Sequence, residues 1–341
     1  MPASTTDRRF LVADIGGTNI RIASFTTDPR QREAEITYRL NPATNKPYQV
    51  IESLRDYRAK MSGAFAAACL GVAGRVKGAE VQITNRPDLI RRDEVAAVLE
   101  VEPSRVLLVN DMPPHLASVD RLQPSEVIEI KPGESDPRGN RAILMPGTGV
   151  GVGGAVWVPA IDVHRPFPSE GGHVDFAPRD QQQDALMRFL RPIAKAIGHT
   201  HASDEIAFAG EGIRRIYTFL SGGSPDDVAK APKSEEITQA VATNNLPADD
   251  LRARTIELYL KILGAAAGNL ALMFTATGGV YLGGSICLTL RHLLATPPFI
   301  DAFKTSGPEA LRPLMAEVPV RLIDYKDSGL LGAGVLALRL V

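Results

Sequence analysis

Short apolar or alternating runs, bounded by glycine and polar residues, predict several strands in the first third of the chain. Buried strands typically leave apolar runs of this length, and half-buried strands leave period-two alternation. The runs cover residues 10–13, 20–25, 36–40, 64–73 and 105–109. The first three follow one another closely and predict a strand meander at the start of the chain.

Helical spacing of apolar residues alternates with these strands. Residues 47–61 place their apolar side chains on one side of a helix, and residues 91–100 suggest a second helix. Strands that alternate with helices are typical of a sheet covered by helices. The first part of the chain is therefore predicted to be an α/β domain with a mixed sheet.

A second α/β unit is predicted to begin after the polar, Pro- and Gly-containing residues 131–140. A new strand at 142–145, a glycine-rich turn and another strand follow. The length of 341 residues also exceeds what one hydrophobic core usually serves. Residues 221–235 are predicted to form a mobile surface loop or linker, and residues 330–340 a helix that packs back on the body.

Composition and charge exclude several classes of function. The formal net charge of -1 gives no global field to hold nucleic acid or an anionic membrane. The densest basic pairs, Arg91-Arg92 and Arg214-Arg215, are interpreted as solvated helix faces. Neither a nucleic-acid partner nor a membrane partner is therefore expected.

The apolar segments and the cysteines favour a cytoplasmic protein. The most apolar helical run, 256–273, carries Glu257 and Lys261 and is interpreted as a buried helix rather than a membrane span. The first residues lack the apolar stretch of a secretory signal. Cys69 and Cys287 lie in apolar surroundings and are expected to be buried, reduced thiols.

The first chemical motif is the run Asp14-Ile15-Gly16-Gly17-Thr18-Asn19, which follows a predicted strand. Glycines let backbone N–H groups approach phosphate oxygens, and Thr18 and Asn19 can add side-chain donors. Asp14 can hold a hydrated Mg²⁺ that bridges the phosphates. An ordinary glycine-rich hairpin with a capping aspartate is the alternative.

Two further glycine clusters follow strands later in the chain. Residues 149–154 match the GxGxxG dinucleotide fingerprint, but a strand continues at 155–158 where that motif requires a helix. A second phosphate clamp around Gly147, Thr148 and Gly149 is favoured instead. The cluster at residues 278–285 could approach an adenine or ribose through Gly283 and Gly284, or could serve only tight packing between strand and helix.

Asn110-Asp111 comes directly after a buried strand, where open α/β sheets bind ligands. Asp111 could orient a substrate hydroxyl and accept its proton. The alternative is a helix N-cap, since Pro113-Pro114 fits a first helical turn.

Glu170 and His173 are separated by two glycines and can point into one small polar space. Together they accept and donate hydrogen bonds, as the vicinal hydroxyls of a sugar require. Metal ligation and a merely structural pair are the alternatives, although His164, His199 and His201 show no ligand-like spacing. Glu205 could add another acceptor, but Asp204-Glu205 is interpreted by default as a solvated charge at a helix start.

Taken together, these residues resemble the bacterial glucokinases of the hexokinase and actin-like ATPase superfamily. The resemblance spans nearly the whole chain in the right order, and EGGHVDFAP is its most specific motif. The other matching segments are LVADIGGTNIRIA, LLVNDM, MPGTGVGVGG and GGVYLGGSI. Met112-Pro113-Pro114-His115 departs from the Phe-Thr-like continuation that related sequences more often have after the aspartate.

The resemblance implies a fold, a reaction and a set of site residues. The fold would be a two-lobed actin-like ATPase (ribonuclease H-like) α/β fold with mixed sheets and an interlobe cleft, with a small domain at 1–121 plus 326–341 and a large domain at 122–325. The reaction would be phosphorylation of D-glucose by ATP with Mg²⁺, in a cytoplasmic homodimer. Asp111 would be the base that faces the 6-hydroxyl. The sugar hydroxyls would bind Asn85, Asn110, Glu170, His173 and Glu205, and ATP would contact residues 13–18, namely Ala13, Asp14, Ile15, Gly16, Gly17 and Thr18.

Three other functions stay open at this point. A kinase in the same superfamily could act on fructose, mannose or an acylated amino sugar. A catalytically weak regulator that binds sugar or ATP belongs to a different class, against which the intact Asn110-Asp111 pair argues. The absence of the cysteine-rich zinc motif of the related repressor and kinase group, and of an N-terminal DNA-binding extension, also favours a kinase. A dinucleotide-dependent dehydrogenase is disfavoured by the strand after Gly154.

Overall fold

The computed structural model describes residues 8–17, 19–41, 46–84 and 86–341. The chain divides into two compact units. The first contains residues 1–123, 165–168 and 325–341, and the second contains residues 124–164 and 169–324.

The first unit is a five-stranded mixed sheet with helices on both faces, as the alternation of strands and helices predicts. Its main sheet has the order β10-β6-β1-β2-β3, in which β1 runs parallel to β6 and antiparallel to β2. The strands are β1 (Arg9–Ile15), β2 (Ile20–Phe25), β3 (Arg32–Tyr38), β4 (Leu40–Asn41), β5 (Lys46–Pro47), β6 (Phe65–Val72), β7 (Gly74–Lys77), β8 (Glu80–Ile83), β9 (Leu89–Arg91) and β10 (Val106–Asn110). The helices are α1 (Val50–Lys60), α2 (Arg92–Leu99), α3 (Met112–Ser118) and, at the C-terminal end, α13 (Ser328–Leu338).

Side chains of β1 alternate between two cores, one on each face of the sheet. Phe10 and Val12 pack with Leu330 and Ala333 of α13, whereas the residues between them pack with α1 and α2. Successive side chains of a strand point to opposite faces. The same alternation therefore places Asp14 on the face that α13 covers.

The second unit repeats the strand order of the first unit. Its sheet has the order β11-β16-β15-β12-β13-β14, in which β12 runs parallel to β15 and antiparallel to β13. The strands are β11 (Val127–Lys131), β12 (Arg141–Pro146), β13 (Val150–Val158), β14 (Val163–Ser169), β15 (Gly279–Leu282) and β16 (Val320–Ile323). The helices are α4 (Gln181–Ala196), α5 (Asp204–Phe208), α6 (Gly210–Leu220), α7 (Ser234–Thr243), α8 (Leu251–Phe274), α9 (Ser285–Thr289), α10 (Arg291–Leu294), α11 (Pro297–Lys304) and α12 (Arg312–Glu317).

Helix α8 forms the centre of the second unit. It is long and apolar enough to cross a membrane, with a mean hydropathy of 1.3, but 72% of its most apolar window is buried inside the protein. Its buried side chains belong to the core that also contains Ile206, Ile213 and Phe299. The sequence-based interpretation of this segment as a buried core helix agrees with this packing.

Two expectations from the sequence are wrong in the second unit, and one interaction accounts for both. Residues 221–235 are not a linker: they lie within the unit, and residues Pro225–Lys230 form a 3-10 helix. Arg214 is not a solvated cation, because it donates hydrogen bonds to the carbonyl oxygens of Ala229 and Ala231. Arg215 likewise donates to the carbonyl oxygen of Ile206. The guanidinium of Arg214 thus fastens the segment that the glycines and prolines predict to be mobile.

Substitution of Gly264 tests the crossing of α8 and α11. A Cβ at Gly264 would lie 2.3 Å from the carbonyl oxygen of Phe299, a backbone atom that cannot move cheaply. Alanine gains about 1 kcal/mol of helix propensity over glycine, but overpacking of a core typically costs about 1–3 kcal/mol. We expect Gly264→Ala to lower the free energy of unfolding by about 1–2 kcal/mol in urea titrations.

A matched control lies on the same helix. Met273 is 61% exposed, and Met273→Ala should change the free energy of unfolding by no more than about 0.5 kcal/mol. Unchanged stability in Gly264→Ala would show that the two helices can separate without loss.

Candidate active site

The turn between β1 and β2 offers an exposed backbone beside a carboxylate. Gly16 donates its N–H to the carbonyl oxygen of Asn19 at 2.9 Å, which closes the turn. No atom lies within 4 Å of the position that a Cβ on Gly17 would take, and Asn19 is exposed. A ligand phosphate could therefore reach the backbone here. Thr18, which is predicted to contact ATP, lies outside the described residues.

Asp14 lies near the end of β1, and its carboxylate lies opposite a cation on the next strand. Arg21 is its cross-strand partner in β2, and the guanidinium Nη1 lies 4.0 Å from a carboxylate oxygen of Asp14. Arg21 also binds Glu35 and Asp327, so it is not dedicated to Asp14. The carboxylate of Asp14 keeps about a third of its surface exposed.

Asn110 and Asp111 divide the two functions that the sequence left open. Asp111 occupies the N-cap position of α3, but its side chain makes no capping hydrogen bond. The cap is supplied by Asn110, whose Oδ1 accepts the N–H of Met112 at 3.1 Å and whose Nδ2 donates to the carbonyl oxygen of Gly74 at 3.2 Å. The side chain of Asp111 is thereby spared the capping role.

The position of α3 is fixed by close packing on both sides. A Cβ at Gly71 of β6 would lie 3.0 Å from Cγ of Pro114 and 3.9 Å from Cα of Asp111. A Cβ at Gly332 of α13 would lie 1.6 Å from the carbonyl oxygen of Pro114. Helix α3 is therefore wedged between β6 and α13, and Asp111 is held at its start.

In the second unit, the turn at Gly147–Gly149 joins β12 to β13. Gly147 donates its N–H to the carbonyl oxygen of Gly149 at 2.8 Å, and its own carbonyl oxygen accepts the N–H of Gly210 at 2.8 Å. No atom lies within 4 Å of a Cβ on Gly147, so this side of the turn is open. Because β13 (Val150–Val158) follows the turn directly, the dinucleotide fingerprint lacks the helix that it requires.

Glu170, His173 and Glu205 lie together in the second unit, as the sequence predicts for the first two. Nε2 of His173 lies 4.0 Å from a carboxylate oxygen of Glu170, and Nδ1 lies 4.0 Å from a carboxylate oxygen of Glu205. The three side chains are 64%, 50% and 30% exposed in the order Glu170, His173, Glu205. At these separations they do not consume one another's hydrogen-bonding capacity, which leaves acceptors and a ring nitrogen for hydroxyl groups.

The two glycines between Glu170 and His173 let this turn lie directly on β13. A Cβ at Gly172 would fall 2.1 Å from the carbonyl oxygen of Val150, and one at Gly171 would fall 2.9 Å from a methyl group of Val152. Nε2 of His201 donates a hydrogen bond to the carbonyl oxygen of His173 at 2.9 Å. The spacing of the histidines in the sequence did not suggest this contact between His201 and His173.

Asp204 and Glu205 are not solvated charges, so the default interpretation of that pair is wrong. Oε2 of Glu205 accepts the N–H of Val150 at 3.1 Å, which ties the sugar-binding candidate to the glycine turn. Asp204 is largely buried, and this burial together with the neighbouring charge of Asp175 raises the pKa of its carboxyl group to about 8. Ser203, rather than either acid, caps α5 through its side chain.

Gly283 and Gly284 have a packing role in the structure. A Cβ at Gly283 would lie 2.7 Å from Cε of Met145, and one at Gly284 would lie 2.6 Å from the carbonyl oxygen of Pro146. Gly284 also has a φ of +88°, which side chains rarely adopt. These contacts account for both glycines without a ligand, and a contact with adenosine stays a prediction.

The described residues of the two units contain no preformed metal centre. In the described ranges, no three His, Cys, Asp or Glu side chains are grouped so that they could hold a metal ion. Asn85, the remaining sugar-binding candidate, lies outside the described residues.

Cys69 and Cys287 are buried, and burial raises the pKa of both thiols, to about 12 for Cys287.

Solved structures of sugar kinases share this architecture. A glucokinase from an Antarctic psychrotroph superposes with a TM-score of 0.79 and 26% identity, covering 97% of this chain and 99% of that chain. A ROK family glucokinase from Streptomyces griseus, in complex with glucose and AMPPNP, shares the fold with a TM-score of 0.62 and 18% identity, covering 97% and 99%. The mixed sheets and the similarity to these two structures define the class of protein. It is a sugar kinase-like protein with the two-lobed, actin-like ATPase fold.

The sequence narrows this class to one family. A family model described as Glucokinase matches residues 11–340. The glucokinase of Saccharophagus degradans is 33% identical over 326 residues, which is 95% of this chain and 96% of that protein. The chain belongs to the glucokinase family.

The raised pKa of Asp204 predicts how stability depends on pH. Its ordinary pKa is 3.8, and in the folded protein the pKa is about 8. The folded state therefore binds the proton more tightly, and its stability falls as the pH rises from about 4 to about 8, by up to about 1.4 kcal/mol per pH unit. Asp204→Asn should flatten this dependence in urea unfolding measured at pH 5, 6, 7 and 8.

Asp184→Asn is the matched control, because Asp184 is exposed on α4 and the same side chain is replaced by the same amide. This control should keep the pH dependence of the parent. Parallel pH profiles for the parent and for Asp204→Asn would contradict the assignment.

Proposed function

We propose that this protein is a glucokinase that transfers the γ-phosphoryl group of ATP to the 6-hydroxyl of D-glucose, giving glucose 6-phosphate and ADP. The observation that carries the proposal is the grouping of Glu170, His173 and Glu205 in a chain of the glucokinase family. The glucose and AMPPNP bound by the Streptomyces griseus enzyme support the choice of sugar and nucleotide.

Sugar recognition is assigned to partly exposed polar groups that keep hydrogen-bonding capacity. The carboxylates of Glu170 and Glu205 accept hydroxyl protons, and His173 offers a ring nitrogen between them. Asn85 and Asn110 complete the proposed set. The glycine pair of the EGGH turn lets the segment that carries Glu170 and His173 pack on β13, so these two side chains are held in place before the sugar arrives.

Asp111 is proposed to orient the 6-hydroxyl and to accept its proton. The transition state of phosphoryl transfer is loose, so proton removal comes late and positioning matters most. Support comes from the wedged helix α3, which holds Asp111 at its start. A carboxylate held on a rigid element can act as such a base.

Nucleotide binding is assigned to the two open glycine turns. The backbone at Gly17 and at Gly147 is accessible to phosphate oxygens, with Ala13, Ile15, Asn19, Thr148 and Gly149 close by in sequence. Asp14 offers one hard oxygen ligand on a partly exposed carboxylate. This donor set fits Mg²⁺ that keeps several waters and arrives with the nucleotide. Such an ion would neutralise charge on the phosphates.

Family membership also supports two further proposals about this protein. We expect a homodimer and a cytoplasmic enzyme that supplies glucose 6-phosphate to glycolysis. Buried, unpaired Cys69 and Cys287 are compatible with a reducing compartment.

Removal of the proposed base tests the reaction. The parent protein should release ADP from Mg²⁺-ATP only when glucose is present. Asp111→Ala should lower kcat at least about 100-fold, because it removes the group that orients and deprotonates the hydroxyl. Glucose binding, measured by calorimetry, should persist.

Asp93→Asn is a suitable control, because Asp93 is an exposed acid of α2 in the same unit. It should keep the turnover of the parent. Near-normal turnover in Asp111→Ala would remove Asp111 from the mechanism. Release with a different hexose would keep the chemistry and change the substrate, and glucose binding without any release would favour a regulator.

The acceptor profile tests the proposed sugar pocket. A polar partner that the bound sugar covers but leaves without a hydroxyl is costly. We therefore expect 2-deoxyglucose and galactose to have kcat/KM values at least about tenfold below that of glucose. Equal kcat/KM for galactose and glucose would contradict the assignment of Glu170 and His173.

A further inference from the structure

His115 lies near the phosphate-binding candidate Asp14, although no sequence motif assigns it a role. It follows Asp111 by one turn of α3 and is partly buried. Its Nδ1 lies 2.8 Å from Oγ of Ser328, the first residue of α13. The imidazole is therefore anchored through a buried hydroxyl of the C-terminal helix.

The opposite edge of the imidazole, formed by Cε1 and Nε2, lies near the carboxylate of Asp14. The space above Gly329 is bordered by both groups: a Cβ placed there would lie 3.4 Å from Nε2 of His115 and 3.6 Å from Cγ of Asp14. The absence of a side chain at Gly329 thus leaves room for the two groups to approach.

The hydrogen-bonding inventory indicates which tautomer this arrangement needs. An ionised carboxylate can only accept hydrogen bonds, so the imidazole nitrogen on its side should carry the proton. A neutral imidazole then has an acceptor at Nδ1, and the hydroxyl of Ser328 can donate to it. Ser328 would set the tautomer, and Nε2–H would be directed toward Asp14.

We propose that His115 is a positioning residue that, with Ser328, holds the carboxylate of Asp14 in the orientation in which it meets the nucleotide phosphates and their hydrated Mg²⁺. The inference rests on the proposed function, and it assigns a role to His115 and Ser328, which lie around Asp14. His115 touches neither substrate in this role and acts through the carboxylate alone.

The opposite side of Asp14 has a matching support. Arg21 lies 4.0 Å from the carboxylate and is itself bound to Asp327, the residue before Ser328. Asp327 also binds Arg32 of β3 at 2.5 Å. The start of α13 therefore anchors both the cation on one side of Asp14 and the imidazole on the other.

Three substitutions of His115 distinguish the roles of its two ring nitrogens. Gln can place an amide near the position of Nε2, Asn can reproduce the position of Nδ1, and Leu fills the space without polar atoms. We would measure the dissociation constant of ADP by calorimetry in the presence of Mg²⁺ and again with EDTA, without sugar. This readout does not depend on turnover.

His115→Leu should weaken Mg²⁺–ADP binding about tenfold, because the carboxylate of Asp14 loses the polar neighbour that fixes its orientation. Binding of ADP in EDTA should change little, because the role of Asp14 requires the metal. His115→Gln should restore affinity to within about threefold of the parent, whereas His115→Asn should not. Ser328→Ala should weaken Mg²⁺–ADP binding in the same direction, since the anchor of the ring is lost.

A double-mutant cycle tests whether the effect passes through Asp14. In an Asp14→Asn background, His115→Leu should produce no further loss, since coupled residues are not additive. Full additivity, or equal loss of ADP affinity with and without Mg²⁺, would overturn the proposal. So would a parent protein that binds ADP equally well in Mg²⁺ and EDTA, or variants that all bind as the parent does.

The outcomes are distinguishable from a failure of the proposed function. A parent protein without glucose-dependent ADP release refutes the glucokinase activity. An active parent with unchanged Mg²⁺–ADP affinity in the variants refutes only the role of His115. If His115→Leu does not fold, the contrast between His115→Gln and Ser328→Ala decides: equal affinities in both would overturn the proposal.

Discussion

Helix α13 approaches α3 so closely that only a glycine fits between them, and the site of the first unit depends on this contact. The carbonyl oxygen of Pro114 occupies the space that a Cβ on Gly332 would need. Helix α3 begins at Asp111, and α13 begins with the residues that bind Arg21 and His115. A segment at the far end of the sequence thus fixes the groups around the first strand. Loss of α13 would remove both a core layer and the supports of Asp14.

The repeated strand order explains where the polar residues lie within each unit. In each sheet the first strand of the repeat, β1 or β12, runs into a glycine turn and then returns as an antiparallel strand. In open α/β sheets, ligands bind beyond the carboxyl ends of the strands. Asn110-Asp111 follows another such end, that of β10. The units differ in what they add: the second supplies Glu170, His173 and Glu205 from a 3-10 turn and a short helix.

The sequence predicted the elements well wherever local pattern determines them. The buried strands, the core helix α8 and the approach of Glu170 to His173 all follow from period, composition and spacing. The sequence-based prediction failed where a side chain contacts residues that are distant in the sequence. Arg214 fastens residues that read as a linker, and Val150 binds a glutamate 55 residues later in the sequence. Such contacts depend on tertiary packing, which local propensity does not encode.

The glycines of the motifs serve two physically different purposes, which the sequence alone cannot separate. At Gly17 and Gly147 the space beside the backbone is open, so the absence of a side chain leaves N–H groups accessible to an anion. At Gly172 and Gly284 the same space is filled by backbone of a neighbouring segment, so the glycine permits packing. An open turn can bind phosphate, whereas a filled one can only fix the elements around it. The phosphate contacts are therefore best sought at the two open turns, with the packed glycines acting through the rigidity they give to the acids and histidines beside them.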